Sequence, residues 1–174
     1  MNPAFAFCLA AALALAASAA QAHGRARKTG HAAHVHGQAR LMLAVAGNAV
    51  QIGLETPLDN LLGFEHAPRT AKEKQAVDAL RARLDTPQTL FELDPAARCQ
   101  VESVRIAGLP HARTAHDHAD LEADFSFTCA QPPRALTLQL FSAFPRLQRL
   151  DVEQVTPAGQ ALHRLGPGQS RLEW

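Results

Sequence analysis

Histidine and carboxylate side chains alternate with apolar ones along the stretch from His116 to Cys129. Because neighbouring residues of a β-strand point to opposite faces, this stretch has one face for a core and one for solvent. Its polar face begins with five side chains of metal-ligand type, His116, His118, Asp120, Glu122 and Asp124, and continues with Ser126 and Thr128. The sequence therefore predicts a strand whose polar face or loop-proximal end binds a metal ion, with His111 entering from the preceding loop.

A second His-x-His pair, His34 and His36, opens another stretch with strand-like alternation. Two histidines spaced this way direct both imidazoles to one side, about 6–7 Å apart at the backbone, which suits one metal ion. If the two strand ends lie side by side, four imidazoles can complete a site; alternatively, three of them with Asp120 or Glu122 leave one position open. Less certain candidate ligands are His31, His66 and Glu122. Zn²⁺ is the expected ion, with copper as the alternative.

The first 22 residues have the features of a secretory signal peptide. The apolar run from Ala4 to Ala17 is too short to span a bilayer, and Ala20-Gln21-Ala22 fits a small-x-small cleavage site. Residues 23–33 show no apolar period, so we expect a mobile, histidine-containing tail before a single domain at 34–174. No later segment is apolar enough to cross a membrane. A formal net charge of +1, with scattered Lys and Arg, argues against a nucleic-acid surface.

Removal of the signal peptide leaves two cysteines, Cys99 and Cys129. In a secreted chain the simplest arrangement is one disulfide between them. Closing a loop of about 30 residues would contribute roughly 3–4 kcal/mol to stability in the chain-entropy model. Two separate buried thiols are the alternative. A disulfide would leave no thiolate for coordination, which argues against a soft-metal site.

The rest of the sequence mainly shows β-strand alternation. Gly47-Asn48 joins two alternating stretches in what we predict to be a two-residue hairpin turn. Thr70 and Glu73 fit a capping box, which predicts one main helix from about Ala71 to Leu84. We therefore expect an α+β domain with seven or eight mainly antiparallel strands and one disulfide.

Parts of the histidine pattern also occur in metalloenzymes. His116-Asp117-His118-Ala119-Asp120 resembles the zinc motif of metallo-β-lactamases, although that motif continues with His where this chain has Leu121. His34-Val35-His36 resembles copper–zinc superoxide dismutases, whose Gly-rich loops and remaining ligands are absent here. A metal-dependent hydrolase or dismutase is therefore one alternative, and a copper-binding periplasmic chaperone, with His23 as a chelating terminus, is another. Because no nucleophile–base set is evident, we expect that the protein is not an enzyme.

A broader resemblance covers nearly all of the chain after the signal peptide. It rests on His34–Leu41, Asn60–Thr70, Phe141–Pro145, Thr156–Gln160 and the spacing of Cys99 and Cys129. Together these strings resemble the ZrgA-like family of zinc-regulated, zinc-binding periplasmic proteins. The resemblance implies a bacterial periplasmic protein that binds Zn²⁺ and assists its acquisition alongside an ABC-type importer, without catalysing a reaction. Family members often have a long His/Asp/Glu-rich insertion before the strand that ends at Cys129; here it is reduced to His111–Asp120.

Overall fold

The computed structural model describes residues 35–110 and 120–174, which fold mainly as β-strands. The strands are β1 (Gln38–Ala46), β2 (Ala49–Pro57), β3 (Phe91–Leu93), β4 (Cys99–Ala107), β5 (Asp120–Cys129), β6 (Ala135–Leu138), β7 (Arg149–Thr156), β8 (Gly159–Leu165) and β9 (Arg171–Glu173). The helices are α1 (Leu58–Leu62), α2 (Ala71–Leu84) and α3 (Leu140–Ala143). The α+β class is confirmed, and the described part of the chain has nine strands where the sequence predicted seven or eight.

These strands form two sheets within the described residues. The larger sheet has the order β4-β5-β2-β1-β7-β8, and the smaller has the order β3-β6-β9. Strand pairs are antiparallel except for β1 and β7, which come from opposite ends of the described chain and pair in parallel. Two strands of the smaller sheet, β3 and β9, are three residues long, too short to show a clear alternation in the sequence.

Local signals in the sequence give the helix and the hairpin as predicted. The Thr70 hydroxyl accepts a hydrogen bond from the Glu73 amide, and the Glu73 carboxylate accepts one from the Thr70 amide. This capping box starts α2 at Ala71, and the helix ends at Leu84. Gly47-Asn48 forms the turn between β1 and β2. Within the described ranges, no helix is long and apolar enough to cross a membrane.

The strand β5 has the two faces that its alternation predicted. Leu121, Phe125 and Phe127 are almost completely buried, whereas Glu122 and Asp124 are exposed. Phe125 packs against Phe91 of β3, with ring centroids 5.1 Å apart. This contact joins the buried face of the larger sheet to the smaller one, and it anchors β5 in the core next to β2.

The predicted disulfide is present. Cys99 and Cys129 are paired directly across β4 and β5 and are bonded to each other. Cys129 lies on the buried face of β5, on the same side as Phe125 and Phe127. The bridge therefore fixes the C-terminal end of β5, which lies opposite the end at which Asp120 begins the strand.

Both strands that follow a His-x-His pair begin at the same edge of the larger sheet, the one formed by the starts of β1 and β5 and the end of β2. β2 lies between β1 and β5 and is antiparallel to each, so β1 and β5 run in the same direction. Arg40, Glu55 and Glu122 form one row across these three strands. With adjacent strands about 4.8 Å apart, β1 and β5 are separated by about 10 Å. His36 and His118 each precede this row by four residues.

Candidate metal-binding site

His36 lies just before β1, at this edge of the sheet, between two carboxylates. Its Nδ1 is 3.8 Å from Asp59 Oδ2, and its Nε2 is 3.4 Å from Glu65 Oε1. The His36 side chain is 63% exposed, whereas those of Asp59 and Glu65 are only 12% and 11% exposed. The two ring nitrogens therefore face two different, nearly buried carboxylates.

The backbone beside His36 is held by Asn60 of α1. The Asn60 side chain accepts a hydrogen bond from the Gly37 amide (2.6 Å) and donates one to the Gln38 carbonyl (2.8 Å). The Gly37 carbonyl in turn accepts from the Gln148 amide at 2.7 Å. Gly37 adopts φ +81°, which favours glycine. These contacts fix the point at which the chain turns from His36 into β1.

Asp59 is fixed by an arginine from the segment before β7. The Arg146 Nη2 donates to both carboxylate oxygens of Asp59, at 2.7 and 2.8 Å, and Arg146 Nε donates to the Asp59 carbonyl at 2.9 Å. Charge-assisted hydrogen bonds of this kind are stronger than neutral ones. Arg146 therefore balances the negative charge of Asp59 and fixes its orientation in the metal-free protein.

His66 follows Glu65 in the chain but has a separate set of contacts. Its ring stacks on Phe64, with centroids 5.1 Å apart, and Nδ1 lies 3.0 Å from the Ala67 carbonyl, to which only a protonated nitrogen can donate. Nε2 lies 4.0 Å from Glu73 Oε1. Hydrogen bonds from backbone amides, that of Thr70 foremost, hold the pKa of Glu73 below its usual range. His66 thus contacts the capping box of α2, and its role as a metal ligand stays a prediction.

The remaining predicted ligands divide between the described residues and those outside them. His31, His34, His111, His116 and His118 lie outside the described residues. Glu122 is described, exposed, and paired in register with Glu55 on one side and Ala107 on the other. Asp120 is the first residue of β5 and is paired in register with Pro57. In residues 35–110 and 120–174, no three His, Cys, Asp or Glu side chains form a group that could hold a metal ion.

The chain on either side of residues 111–119 converges at one point. A Cβ atom at Gly108 would lie 1.8 Å from the Asp120 carbonyl oxygen, so only glycine fits there. Leu109 and Pro110 are buried. Asp120 then leads into β5 beside the end of β2, which continues into α1 with Asp59 and Asn60. The described residues that flank the second histidine group therefore adjoin the edge at which His36 lies.

The residues that surround His36 were not predicted from the sequence. Asp59, Glu65, Asn60 and Arg146 are separated from His36 in the sequence and belong to neither His-x-His pair. Three of the four fall in or next to Asn60–Thr70, a string that supported the family resemblance but gave no candidate ligand except His66. Their proximity depends on the β1–β2 hairpin and the parallel β1–β7 pairing, and the latter has no local signal.

A family model described as ZrgA family zinc uptake protein matches residues 33–174. No curated protein matches the chain significantly. The matched region includes every described residue, and therefore His36 and the four residues around it.

Proposed function

Because the chain belongs to the ZrgA family of zinc uptake proteins, we propose that it binds Zn²⁺ in the periplasm and assists a zinc importer of the ABC type. The observation that supports this most directly is His36, an exposed imidazole facing two nearly buried carboxylates. Imidazole nitrogen and carboxylate oxygen are both zinc ligands. A protein that captures and hands over an ion needs such ligands where a partner can reach them, and His36 lies at the surface.

The ligands are proposed to come from the two His-x-His pairs. β1 and β5 begin at one edge about 10 Å apart, which is close enough for side chains from both strand ends to reach a shared ion. The proposed ligand set contains His34, His36, His116 and His118, with Asp120 and His111 as further candidates. Less certain members are His31, His66 and Glu122.

An extracytoplasmic location is supported by the disulfide and by the family. Disulfides such as Cys99–Cys129 persist in oxidising compartments, the bacterial periplasm among them, and are rare in the cytosol. A zinc uptake protein in the periplasm would meet the ion before it crosses the cytoplasmic membrane. The signal peptide proposed for residues 1–22 would direct the chain there.

We further propose that the protein binds the ion without catalysis. A zinc hydrolase needs an open metal position and a general base next to the bound water. In the described chain, the carboxylate on the Nδ1 side of His36 is Asp59, which is already engaged by Arg146. Because both oxygens of Asp59 already accept hydrogen bonds from Arg146, we propose that this carboxylate orients its neighbours and does not act on a bound water.

The test is a titration of the chain beginning at His23, first with Zn²⁺ and then with copper, in competition with a chelator. We expect zinc binding, and we expect it to weaken at least about tenfold in His116→Ala/His118→Ala and in His34→Ala/His36→Ala. His163→Ala in β8 is the matched control, because it removes an imidazole from a strand two away from β1. Unchanged affinity in the first double variant would contradict the ligand assignment, and wild-type protein without zinc affinity would contradict the function.

A further inference from the structure

We propose that Glu65 is a zinc ligand, and that it shares the ion with the Nε2 atom of His36. This inference rests on the proposed zinc-binding function and adds to it a ligand from outside both His-x-His pairs. Four described residues support it: His36, Asp59, Glu65 and Arg146.

The distance between the two atoms matches the distance between two ligands of one zinc ion. Nε2 of His36 and Oε1 of Glu65 are 3.4 Å apart. A charge-assisted N–H···O hydrogen bond is shorter, at about 2.7–2.9 Å. Two ligands on one tetrahedral zinc, with Zn–N and Zn–O bonds of about 2.0–2.2 Å, are separated by about 3.4 Å. Nε2 of His36 and Oε1 of Glu65 are therefore already spaced as two ligands of one zinc ion would be.

The other nitrogen of the ring faces a carboxylate, as is typical of zinc-binding histidines. Such a histidine usually donates its second N–H to a carboxylate or a carbonyl, which fixes the tautomer and turns the unprotonated nitrogen to the metal. Nδ1 of His36 faces Asp59 Oδ2 at 3.8 Å, so the second nitrogen of this ring also has a carboxylate beside it. Because Arg146 orients Asp59, that carboxylate is in place to accept a hydrogen bond from the Nδ1–H group.

The guanidinium of Arg146 distinguishes the two sides of the ring. It donates to both oxygens of Asp59, so a zinc ion bound to Asp59 would lie beside a positive charge. Glu65 is as deeply buried as Asp59, with 11% of its side chain exposed, and its Oε1 is turned to the imidazole. A carboxylate partly removed from water gains more from a nearby divalent cation than an exposed one does. Of the two, Glu65 is therefore the one suited to coordinate the ion, and Asp59 the one suited to orient the imidazole.

The experiment measures zinc affinity by chelator competition in Glu65→Gln, His36→Ala and the double variant. The matched control is Glu92→Gln, which makes the same change on an exposed glutamate of β3 in the smaller sheet. We expect Glu65→Gln to weaken zinc binding at least about tenfold and Glu92→Gln to leave it unchanged. If both ligands hold one ion, the loss from Glu65→Gln should shrink to less than about threefold in the His36→Ala background.

Thermal unfolding with and without Zn²⁺ separates a ligand from a structural residue. A ligand variant keeps the midpoint of the metal-free protein and loses part of the upward shift that zinc produces. If Glu65→Gln is too unstable to study, Glu65→Asp retains the charge but retracts the oxygens by one methylene, and it should still lose zinc affinity. Wild-type zinc affinity in folded Glu65→Gln would overturn the assignment. So would a double variant whose loss of affinity equals the product of the losses in Glu65→Gln and His36→Ala. Those results would leave the proposed function standing, whereas a wild-type protein that binds no zinc would remove both.

Discussion

The side-chain oxygen of Asn60 accepts a 2.6 Å hydrogen bond from the backbone amide of Gly37, 23 residues earlier in the chain. The amide nitrogen of the same side chain donates to the Gln38 carbonyl and to the Thr56 hydroxyl. Asn60 is 1% exposed, so these bonds are formed away from water. One buried side chain thus fixes the start of β1, and with it the position from which His36 projects.

Replacement of Asn60 by alanine should therefore destabilise the fold and weaken zinc binding together. The Gly37 amide and the Gln38 carbonyl would lose their partners, and buried unsatisfied groups cost about 1–3 kcal/mol each. We expect the free energy of unfolding to fall by about 2–4 kcal/mol in urea denaturation. Zinc affinity should fall as well, because the start of β1 next to His36 loses its anchor.

Asn48→Ala is the control for this variant. Asn48 lies in the exposed β1–β2 turn, and its side chain makes a long 3.4 Å contact with the Ala130 carbonyl. We expect a loss below about 1 kcal/mol and unchanged zinc affinity. If Asn60→Ala were as stable as Asn48→Ala, the structural role given to Asn60 would be wrong.

The sequence predicted the elements that depend on neighbouring residues. The capping box of Thr70 and Glu73 predicted the start of α2 at Ala71, because both hydrogen bonds form within one helical turn. Gly47-Asn48 predicted the hairpin, and the alternation after Asp120 predicted the buried face of β5. The Cys99–Cys129 disulfide followed from the number of cysteines and the expected compartment, and it is confirmed.

The surroundings of His36 could not be predicted in the same way. Asp59 and Glu65 approach the ring because α1 and the loop after it fold back over the start of β1. Arg146 reaches Asp59 from the segment before β7, whose parallel pairing with β1 joins distant parts of the chain. Alternation shows which face of a strand is buried but not which strand lies beside it. The proximity of these residues therefore became visible only in the fold.

A second prediction concerns the glycine at the start of β1. An alanine at position 37 would have to adopt φ +81°, and its Cβ would lie 3.1 Å from Gln148 Cγ. Gly47→Ala is the matched control, since Gly47 also has positive φ (+59°) but has nothing within 4 Å of an added Cβ. We expect Gly37→Ala to lower the midpoint of thermal unfolding more than Gly47→Ala does. Both should lose about 1 kcal/mol from backbone strain, with the excess in Gly37→Ala reporting the crowding at Gln148. Equal losses would mean that the Gln148 side chain moves aside freely.

The disulfide gives a third prediction, which separates stability from metal binding. The unfolded, unreduced protein should contain no free thiol after secretion, as measured by thiol titration. Cys99→Ala/Cys129→Ala should lose about 3–4 kcal/mol of unfolding free energy, since a loop of about 30 residues is no longer closed in the unfolded chain. Zinc affinity of the folded double variant should stay at the wild-type value. Two free thiols in the secreted protein, or a loss of zinc affinity in the double variant, would reopen the possibility of a thiolate ligand.

The last prediction is the pH dependence of zinc binding, and it follows from the type of ligand. An imidazole must be neutral to bind Zn²⁺, and its unperturbed pKa is about 6.5, so protons compete with the ion as pH falls. With three or four histidine ligands, the apparent affinity below the pKa region should fall by up to about three or four decades per pH unit. A site built from carboxylates would change little until about pH 4–5, where Asp and Glu begin to protonate.

Zinc affinity is therefore expected to decline steeply between about pH 7 and pH 5, measured by competition with a chelator of known proton linkage. Two single variants divide the dependence between ligand types. His36→Ala removes one protonating ligand and should lower the slope by about one decade per pH unit, whereas Glu65→Gln should lower the affinity but leave the slope near its wild-type value. A wild-type affinity that stays flat down to pH 5 would mean that carboxylates hold the ion instead: Asp117, Asp120, Glu122 and Asp124. In that case Glu65→Gln would show where the ion lies. It would weaken binding if the ion lay at the start of β1, and it would have no effect if the ion lay along the exposed face of β5, which carries Glu122 and Asp124.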